Sequence, residues 1–328
     1  MVAELTMKRS DFKDKSILIT GGAGFIGSHL ADALQERGAK EIVIIDNMFL
    51  GNEENIVDAI KKGAIFYKDD AEFKTSLNYI FTKHKIDIVF NCATKALNYS
   101  FVNPANAFTT NVLVMENLLE LQRENKFKTL CHFSTSEVYG TAVYEPMDEK
   151  HPIHPTTTYA AGKAAADLML ESYVRMFSLD AFIVRPFNNY GPRQNHKGYL
   201  AGVIPITLNR IFSGGTPEIH GTGEQSRDFI LVTDTVKAIL DVYPHLEPGE
   251  SVNVSTDGQI SIRDLIHQLV QLSGYKGEIL NKPSRGSDVL CHIASNEKLK
   301  KLISFTPTSF EDGLKLTFEW YKNYFSKK

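Results

Sequence analysis

Cysteine is scarce in this 328-residue chain, which holds three: Cys92, Cys131 and Cys291. They are too few and too scattered for a disulfide framework and lack the paired spacing of a zinc site, so a reducing compartment and no metal centre are expected. His132, His196 and His220 have no metal-ligand spacing either and read as structural. Long apolar runs are also missing. No stretch of about 18 apolar residues occurs, which argues against a membrane-spanning helix. Residues 1–15 mix charges without an apolar centre, so they do not read as a signal peptide, and the expected location is cytoplasmic. An excess of charge is lacking too. A formal net charge of −3 offers no broad basic face for nucleic acid. Internal repeats and low-complexity segments are absent. What remains is ordinary for a globular protein, 43% hydrophobic and 23% charged, with a length that suggests two domains.

Short β-branched runs recur in the first half: residues 16–20 (SILIT), 41–45 (EIVII), 64–67 (AIFY), 87–91 (DIVFN), 129–133 (TLCHF) and 181–184 (AFIV). Each is almost continuously apolar, the pattern of strands buried on both faces of a parallel sheet. Amphipathic stretches at 26–36, 105–123 and 158–176 lie between them. This alternation predicts an α/β fold, a doubly wound parallel sheet with right-handed crossovers. After Arg185 the pattern changes. Residues 186–226 are rich in Pro, Gly and Asn, with one helix predicted at 203–212. A strand at 228–232, a helix at 234–243 capped by Thr233, a strand at 251–254, a helix after Ser261 and a closing helix at 309–325 follow. The expected division is a first domain of residues 1–186, with 227–255 returning to it. The smaller, interleaved C-terminal lobe would be 187–226 and 256–328.

The first strand runs into Thr20-Gly21-Gly22-Ala23-Gly24-Phe25-Ile26-Gly27-Ser28. Gly21 permits a tight turn, Gly24 lets the backbone approach a pyrophosphate, and Gly27 lets a helix pack close to the sheet. The helix start at Phe25 and Ile26 presents free N–H groups and a positive dipole end to phosphates. Taken alone, a glycine triplet also fits a bare structural turn. Here Asp46 closes the second strand, where a carboxylate accepts hydrogen bonds from an adenosine ribose. Asn47 and Met48 follow it, with no arginine or lysine for a 2′-phosphate, so NAD is favoured over NADP.

The spacing is G-x-x-G-x-x-G, and TGGAGFIGSHL closely resembles the extended short-chain dehydrogenase/reductase superfamily, within it the NAD-dependent nucleotide-sugar epimerases and dehydratases. The resemblance implies a Rossmann-type NAD-binding sheet and covers most of the chain. Asp70-Ala71 matches the family's adenine-edge pair. Residues 91–95 (NCATK) stand where the family carries H-x-A-A beneath the cofactor, and Asn91 and Thr94 depart from that pattern.

Tyr159 and Lys163 are four apart in a helical stretch, which puts both on one face. A bare pair of this kind is usually a surface feature. This one follows the strand ending in Ser134-Thr135-Ser136-Glu137, and ligands sit at the carboxyl ends of such strands. A phenol with a pKa near 10 is a poor base at neutral pH. Lowering it by about 3 units corresponds to about 4 kcal/mol, which two close positive charges in a dry site can supply. Tyr159 would then take the proton of a sugar hydroxyl that Thr135 holds.

Glu137 stands two residues beyond Thr135. A carboxylate there can remove a hydrogen made acidic by an adjacent ketone, with Ser136 as a hydrogen-bond donor to a departing hydroxyl. From the residues alone, a cap or a lysine pair fits Glu137 as well. Thr135-Ser136-Glu137-Val138-Tyr139-Gly140 resembles the T-[DS]-E-x-Y-G segment of nucleotide-sugar 4,6-dehydratases, and that of UDP-glucuronate decarboxylases. The serine matches the GDP-mannose type of dehydratase. Sugar 4-epimerases usually carry small residues at the places of Ser136 and Glu137.

The resemblance implies further contacts to a nucleotide-diphosphate sugar. Asn188, in RPFNNYGP, would touch the sugar nucleotide. Arg227, in QSRDF, would bind the diphosphate bidentately, unless it pairs with Asp228 or Asp234. Arg285 would be a second clamp, although its Arg-Gly-Ser-Asp setting matches the family pattern loosely. The segment 198–205 (GYLAGVIP) is more like the epimerase loop and points the other way. The resemblance also implies a homodimer joined through helices 105–123 and 158–176 as a four-helix bundle. The expected function is a nucleotide-sugar 4,6-dehydratase. Its alternatives are a 4-epimerase, which shares all but Glu137, a decarboxylase, disfavoured because TTTYAAGKAAAD holds no arginine, and a silent nucleotide-binding scaffold.

Overall fold

In a computed structural model describing residues 9–283 and 293–327, the apolar runs assemble into one sheet. Strands β1 (Ser16–Thr20), β2 (Glu41–Ile45), β3 (Ile65–Tyr67), β4 (Ile88–Asn91), β5 (Thr129–Phe133) and β6 (Asp180–Pro186) are all parallel. Asn188–Tyr190 is β7, Glu218–His220 β8, Ser226–Arg227 β9 and Phe229–Leu231 β10. Strand β11 (Ser251–Val254) returns to the sheet beside β6, giving the order β11-β6-β5-β4-β1-β2-β3. The order reverses between β1 and β4, the place where a doubly wound sheet opens a crevice.

Helices α1 (Phe25–Glu36), α2 (Val57–Lys61), α3 (Lys74–Lys83), α4 (Pro104–Arg123), α5 (Thr158–Phe177), α6 (Val203–Phe212) and α7 (Val232–Val242) follow in order. Ile17, Ile19, Ile42 and Ile44 point to the face covered by α1 and α7. Their neighbours Leu18, Val43 and Ile45 point to the face covered by α3, α4 and α5. Alternate residues thus enter two different cores, which is why each strand is apolar throughout. This is a Rossmann-type α/β fold.

The rest of the chain forms β12 (Ile260–Ser261), α8 (Ile262–Ser273), β13 (Leu280–Lys282), α9 (Glu297–Leu302) and α10 (Phe310–Ser326). A separate cluster joins Ile204 and Leu208 of α6, Leu265 and Leu269 of α8, and Leu314 and Phe318 of α10. Short ladders, β7 with β10, β8 with β13 and β9 with β12, connect this region. The strand expected at 228–232 is shorter and pairs with β7, outside the central sheet. The helix expected from Asp234 starts at Val232, with no side-chain cap. Thr233 is not its cap, and the Asp234 carboxylate instead accepts from the Thr308 amide and hydroxyl. No described helix is long and apolar enough to cross a membrane.

His29 ties α1 to the loop after β7, its Nε2 donating to the Pro192 carbonyl at 3.0 Å. Burial draws its pKa down to about 4, and nearby Arg193 acts the same way, while the Pro192 carbonyl and Asp32 oppose. A histidine depressed below its unfolded value of 6.5 takes up its proton first in the unfolded chain as pH falls. Its stabilising contribution is therefore complete above 6.5 and is lost as pH drops towards 4. The loss should reach at most ~3 kcal/mol. Thermal unfolding followed from pH 7 to pH 4 should show it, and H29Q should flatten that part of the curve.

Candidate active site

The glycine turn is held by contacts that exclude side chains. Gly21 has φ +68°, and a Cβ there would lie 2.8 Å from the backbone of Cys92 and Ala93 at the end of β4. A Cβ on Gly27 would collide with the Gly21 carbonyl. Gly24 caps α1 without a side-chain hydrogen bond, so no side chain covers the start of the helix at Phe25 and Ile26. This suits a pyrophosphate.

At the end of β2, Asp46 is 7% exposed. Its Oδ2 accepts from the Ala23 amide at 3.0 Å and its Oδ1 from the Met48 amide at 2.8 Å. Burial raises its pKa, and backbone N–H groups of Met48, Ala23 and Gly24 oppose the rise. Asn47 Nδ2 donates to Asp70 Oδ2 at 2.7 Å, next to the buried Ala71. The glycine turn, Asp46, Asn47, Asp70 and Ala71 line one end of a cavity of about 360 Å³. Thr135, Tyr159 and Lys163 line it as well, so the two sets predicted from separate motifs share one space. The small residues, the uncapped helix start and the ribose-facing carboxylate fit a dinucleotide.

Thr135, two residues beyond β5, caps the 3₁₀ turn Ser136–Tyr139, its hydroxyl accepting from the Glu137 amide at 3.2 Å. Thr157 caps α5, and the Tyr159 amide donates to Ser100 Oγ at 3.0 Å, so the first turn of α5 is fixed from two sides. Burial pushes the Tyr159 phenol up to about 12. The Thr135 hydroxyl opposes this, the Glu137 charge adds to it, and the Thr94 hydroxyl opposes it weakly. Lys163, 1% exposed, donates from Nζ to the Phe133 carbonyl at 2.7 Å. Burial draws this amine down to about 8, against the pull of Asp167. In the protein alone, then, the phenol is held up rather than down. The lowering expected from two close positive charges is not built into this geometry, because the Lys163 amine donates to a main-chain oxygen.

Ser136 is 2% exposed and does not line the cavity. Glu137 is half-buried on the same turn. Its carboxylate makes no hydrogen bond or ion pair with another described residue, yet its charge acts on the Tyr159 phenol. The cap and the lysine pair that fitted its sequence are therefore not what holds it. The turn is closed by Gly140, at φ +65°, where a Cβ would collide with the His154 carbonyl. The His154 amide in turn donates to the Val138 carbonyl at 3.1 Å.

On the other wall the structure differs from the motif reading. Asn188 sits in β7 with a buried, unpartnered Nδ2, and its neighbour Asn189 lines the cavity. Arg227 lies in β9, donating from Nη1 to the Ser226 carbonyl at 2.8 Å, and is not among the cavity residues. Asp228 accepts from Thr256, and Asp234 from Thr308. Arg285 lies outside the described residues. The structure also adds Thr94, Lys95, Asn189 and Gln194 to the wall. Lys95 is paired with Glu72 at 3.4 Å and lies over the Phe49 ring. The departure of NCATK from the family pattern was the one signal for Thr94, and Lys95 had none. Among the described residues, no group of three or more His, Cys, Asp or Glu side chains could hold a metal ion.

Residues 17–255 match the NAD-dependent epimerase/dehydratase family, and the chain belongs to it. NAD is its cofactor. Three similar proteins carry three different activities. The crystal structure of a UDP-glucose 4-epimerase from Thermotoga maritima, with UDP-glucose, is 34% identical, covers 94% of this chain and 99% of that one, and superposes with a TM-score of 0.88. The dTDP-D-glucose 4,6-dehydratase of Bos taurus is 32% identical, over 95% of this chain and 90% of its own. The UDP-N-acetyl-alpha-D-glucosaminuronate decarboxylase of Bacillus cytotoxicus is 31% identical, over 94% and 98%.

Proposed function

We propose that the protein is a nucleotide-sugar 4,6-dehydratase, oxidising C4, eliminating water across C5–C6 and delivering a 4-keto-6-deoxy sugar nucleotide. The observation that carries this reading is Glu137, a half-buried carboxylate with no hydrogen-bond or ion-pair partner among the described residues, whose charge acts on the Tyr159 phenol. A carboxylate so placed has no structural task, and alcohol oxidation alone does not need it. NAD, when bound, supplies the hydride acceptor for C4 and the donor for C6, and its nicotinamide adds the positive charge that favours a phenolate.

In this reading the glycine turn with Phe25 and Ile26 holds the pyrophosphate, and Asp46, Asn47, Asp70 and Ala71 hold the adenosine. Lys163 stands at the nicotinamide end. Thr135 holds the 4-hydroxyl by a hydrogen bond, and Tyr159 takes its proton. Glu137 removes the C5 proton once C4 is a ketone. Water leaves from C6 with help from Ser136 or Glu137, the two polar side chains that follow Thr135 on the turn. Residues 187–226 and 256–328 would form the lobe that receives the nucleotide, with Asn188 and Arg285 from this lobe and Arg227 from the returning segment 227–255 as polar contacts. The homodimer belongs to the same reading. Gly162 lets α5 lie against the backbone of Phe108 in α4, and Phe108, Leu113, Leu168 and Met176 leave exposed apolar surface on that helix pair.

A 4-epimerase is favoured by one observation: the cavity lined by Thr135, Tyr159 and Lys163 stops short of Glu137. One experiment separates the two. Turnover of UDP-, GDP- and dTDP-hexoses in heavy water should give a product lighter by one water and carrying deuterium at C5. A product of unchanged composition, without deuterium at C5, would establish epimerisation instead.

A further inference from the structure

Beneath the cavity lies a buried polar chain that the reaction does not touch. It starts at Thr20, whose Oγ1 donates to Asn91 Oδ1 at 2.7 Å. That bond fixes the amide, so Asn91 Nδ2 faces His132 Nδ1 at 3.2 Å as a donor. His132 is fully buried in β5, a setting that disfavours its charged form. A neutral ring that accepts at Nδ1 carries its proton on Nε2. This nitrogen lies 3.6 Å from Asp167 Oδ1, and neither atom has a hydrogen-bond partner. The other oxygen of Asp167 accepts from Ser134 Oγ at 2.9 Å and from Arg185 Nε and Nη2 at 3.1 and 3.0 Å.

Asp167 stands four residues after Lys163 and eight after Tyr159 on α5, with no exposed surface. Four residues is the spacing at which side chains on a helix interact. The groups around this carboxylate are Lys163 from α5, His132 from β5 and Ser134 just after it, Arg185 from β6, and Tyr139 from the 3₁₀ turn, a phenol that burial keeps neutral. Cys92, after β4, also faces the lysine, and its burial keeps the thiol neutral. Among these groups Asp167 is the one anion set against two buried cations. An amine with 1% exposure and one main-chain acceptor would shed its proton rather than stay charged, unless a counter-charge is close.

We propose that Asp167 is the positioning residue of Lys163, keeping the buried amine an ammonium seated on the Phe133 carbonyl. The proposal rests on reading Lys163 as the amine that works beside Tyr159, and not on which sugar reaction follows.

The test is ¹⁵N NMR of the full-length, NAD-loaded protein labelled at lysine Nζ, with Lys163 assigned by the loss of its signal in K163M. D167N should lower the titration midpoint of Lys163 by at least one pH unit, a tenfold loss of ammonium at a given pH. R185M breaks the same buried pair from its other side but keeps the carboxylate. It should leave the midpoint unchanged or raise it. Equal shifts in the two variants, or none in D167N, would reduce Asp167 to packing and overturn the proposal. Where a single variant does not fold, D167N/R185M removes the pair as a unit, a change buried ion pairs tolerate better than loss of one half. Compared with R185M, or with the wild type where R185M does not fold, the midpoint should be lower there, and a midpoint that is not lower is the overturning result. No turnover enters the measurement, so a failed dehydratase assay would leave its outcome intact.

Discussion

Replacing Glu137 by glutamine should cost about 10²–10⁴-fold in product formation, the span over which positioned general acid–base groups contribute. The substitution keeps the shape and removes the base. Because the carboxylate has no hydrogen bond or ion pair to lose among the described residues, stability should change by no more than about 0.5 kcal/mol. The oxidation at C4 does not use Glu137. A pulse of substrate should therefore leave E137Q with reduced cofactor that persists, visible near 340 nm, while deuterium no longer enters C5. The two readouts act as a pair. Lost exchange with retained reduction places the residue at the elimination. Undiminished turnover would mean that the charge beside Tyr159 has no part in the chemistry, and the 4-epimerase would stand.

Tyr159→Phe should remove both readouts. Without the phenol no group takes the proton from the 4-hydroxyl, and turnover should fall by about 10²–10⁴-fold, with no reduced cofactor formed. NAD binding should persist, because the turn at Gly21–Gly27 and the Asp46 carboxylate do not involve the phenol. The pH dependence follows from burial. A phenol held up to about 12 is protonated at neutral pH, so its reactive form becomes commoner as pH rises. The wild-type rate should therefore climb with pH until the working pKa, set lower by the cofactor's positive charge, is passed. The residual rate of Y159F should stay flat across the same range. A wild-type profile without that rising limb would remove the tyrosine from the proton path.

The central sheet was legible because its strands are apolar on both faces, so that Ile17, Leu18 and Ile19 report burial whichever core they enter. α3 was not, because it buries only Leu77 and Ile80 in ten residues. The strands of the second region are two or three residues long, too short for any period to show. The Tyr159–Lys163 pair could be read from helical spacing. The bond from Lys163 to the Phe133 carbonyl could not, because main-chain acceptors leave no trace in side-chain patterns. Asn188 and Asn189 show the same limit. A motif located the pair, but adjacent strand residues face opposite ways, and only the register with β10 decides which one meets the cavity.

The phenol and the carboxylate owe their places to different parts of the chain. Tyr159 is fixed by the first turn of α5, whereas Glu137 rides on a short turn braced by the His154 backbone, within the segment after Gly140. An evolving sequence can therefore retune that brace, advancing or withdrawing the acid, while the redox apparatus stays as it is. Within one architecture, the proposed role of Glu137 would place the outcome of the oxidised sugar at a surface loop rather than in the sheet.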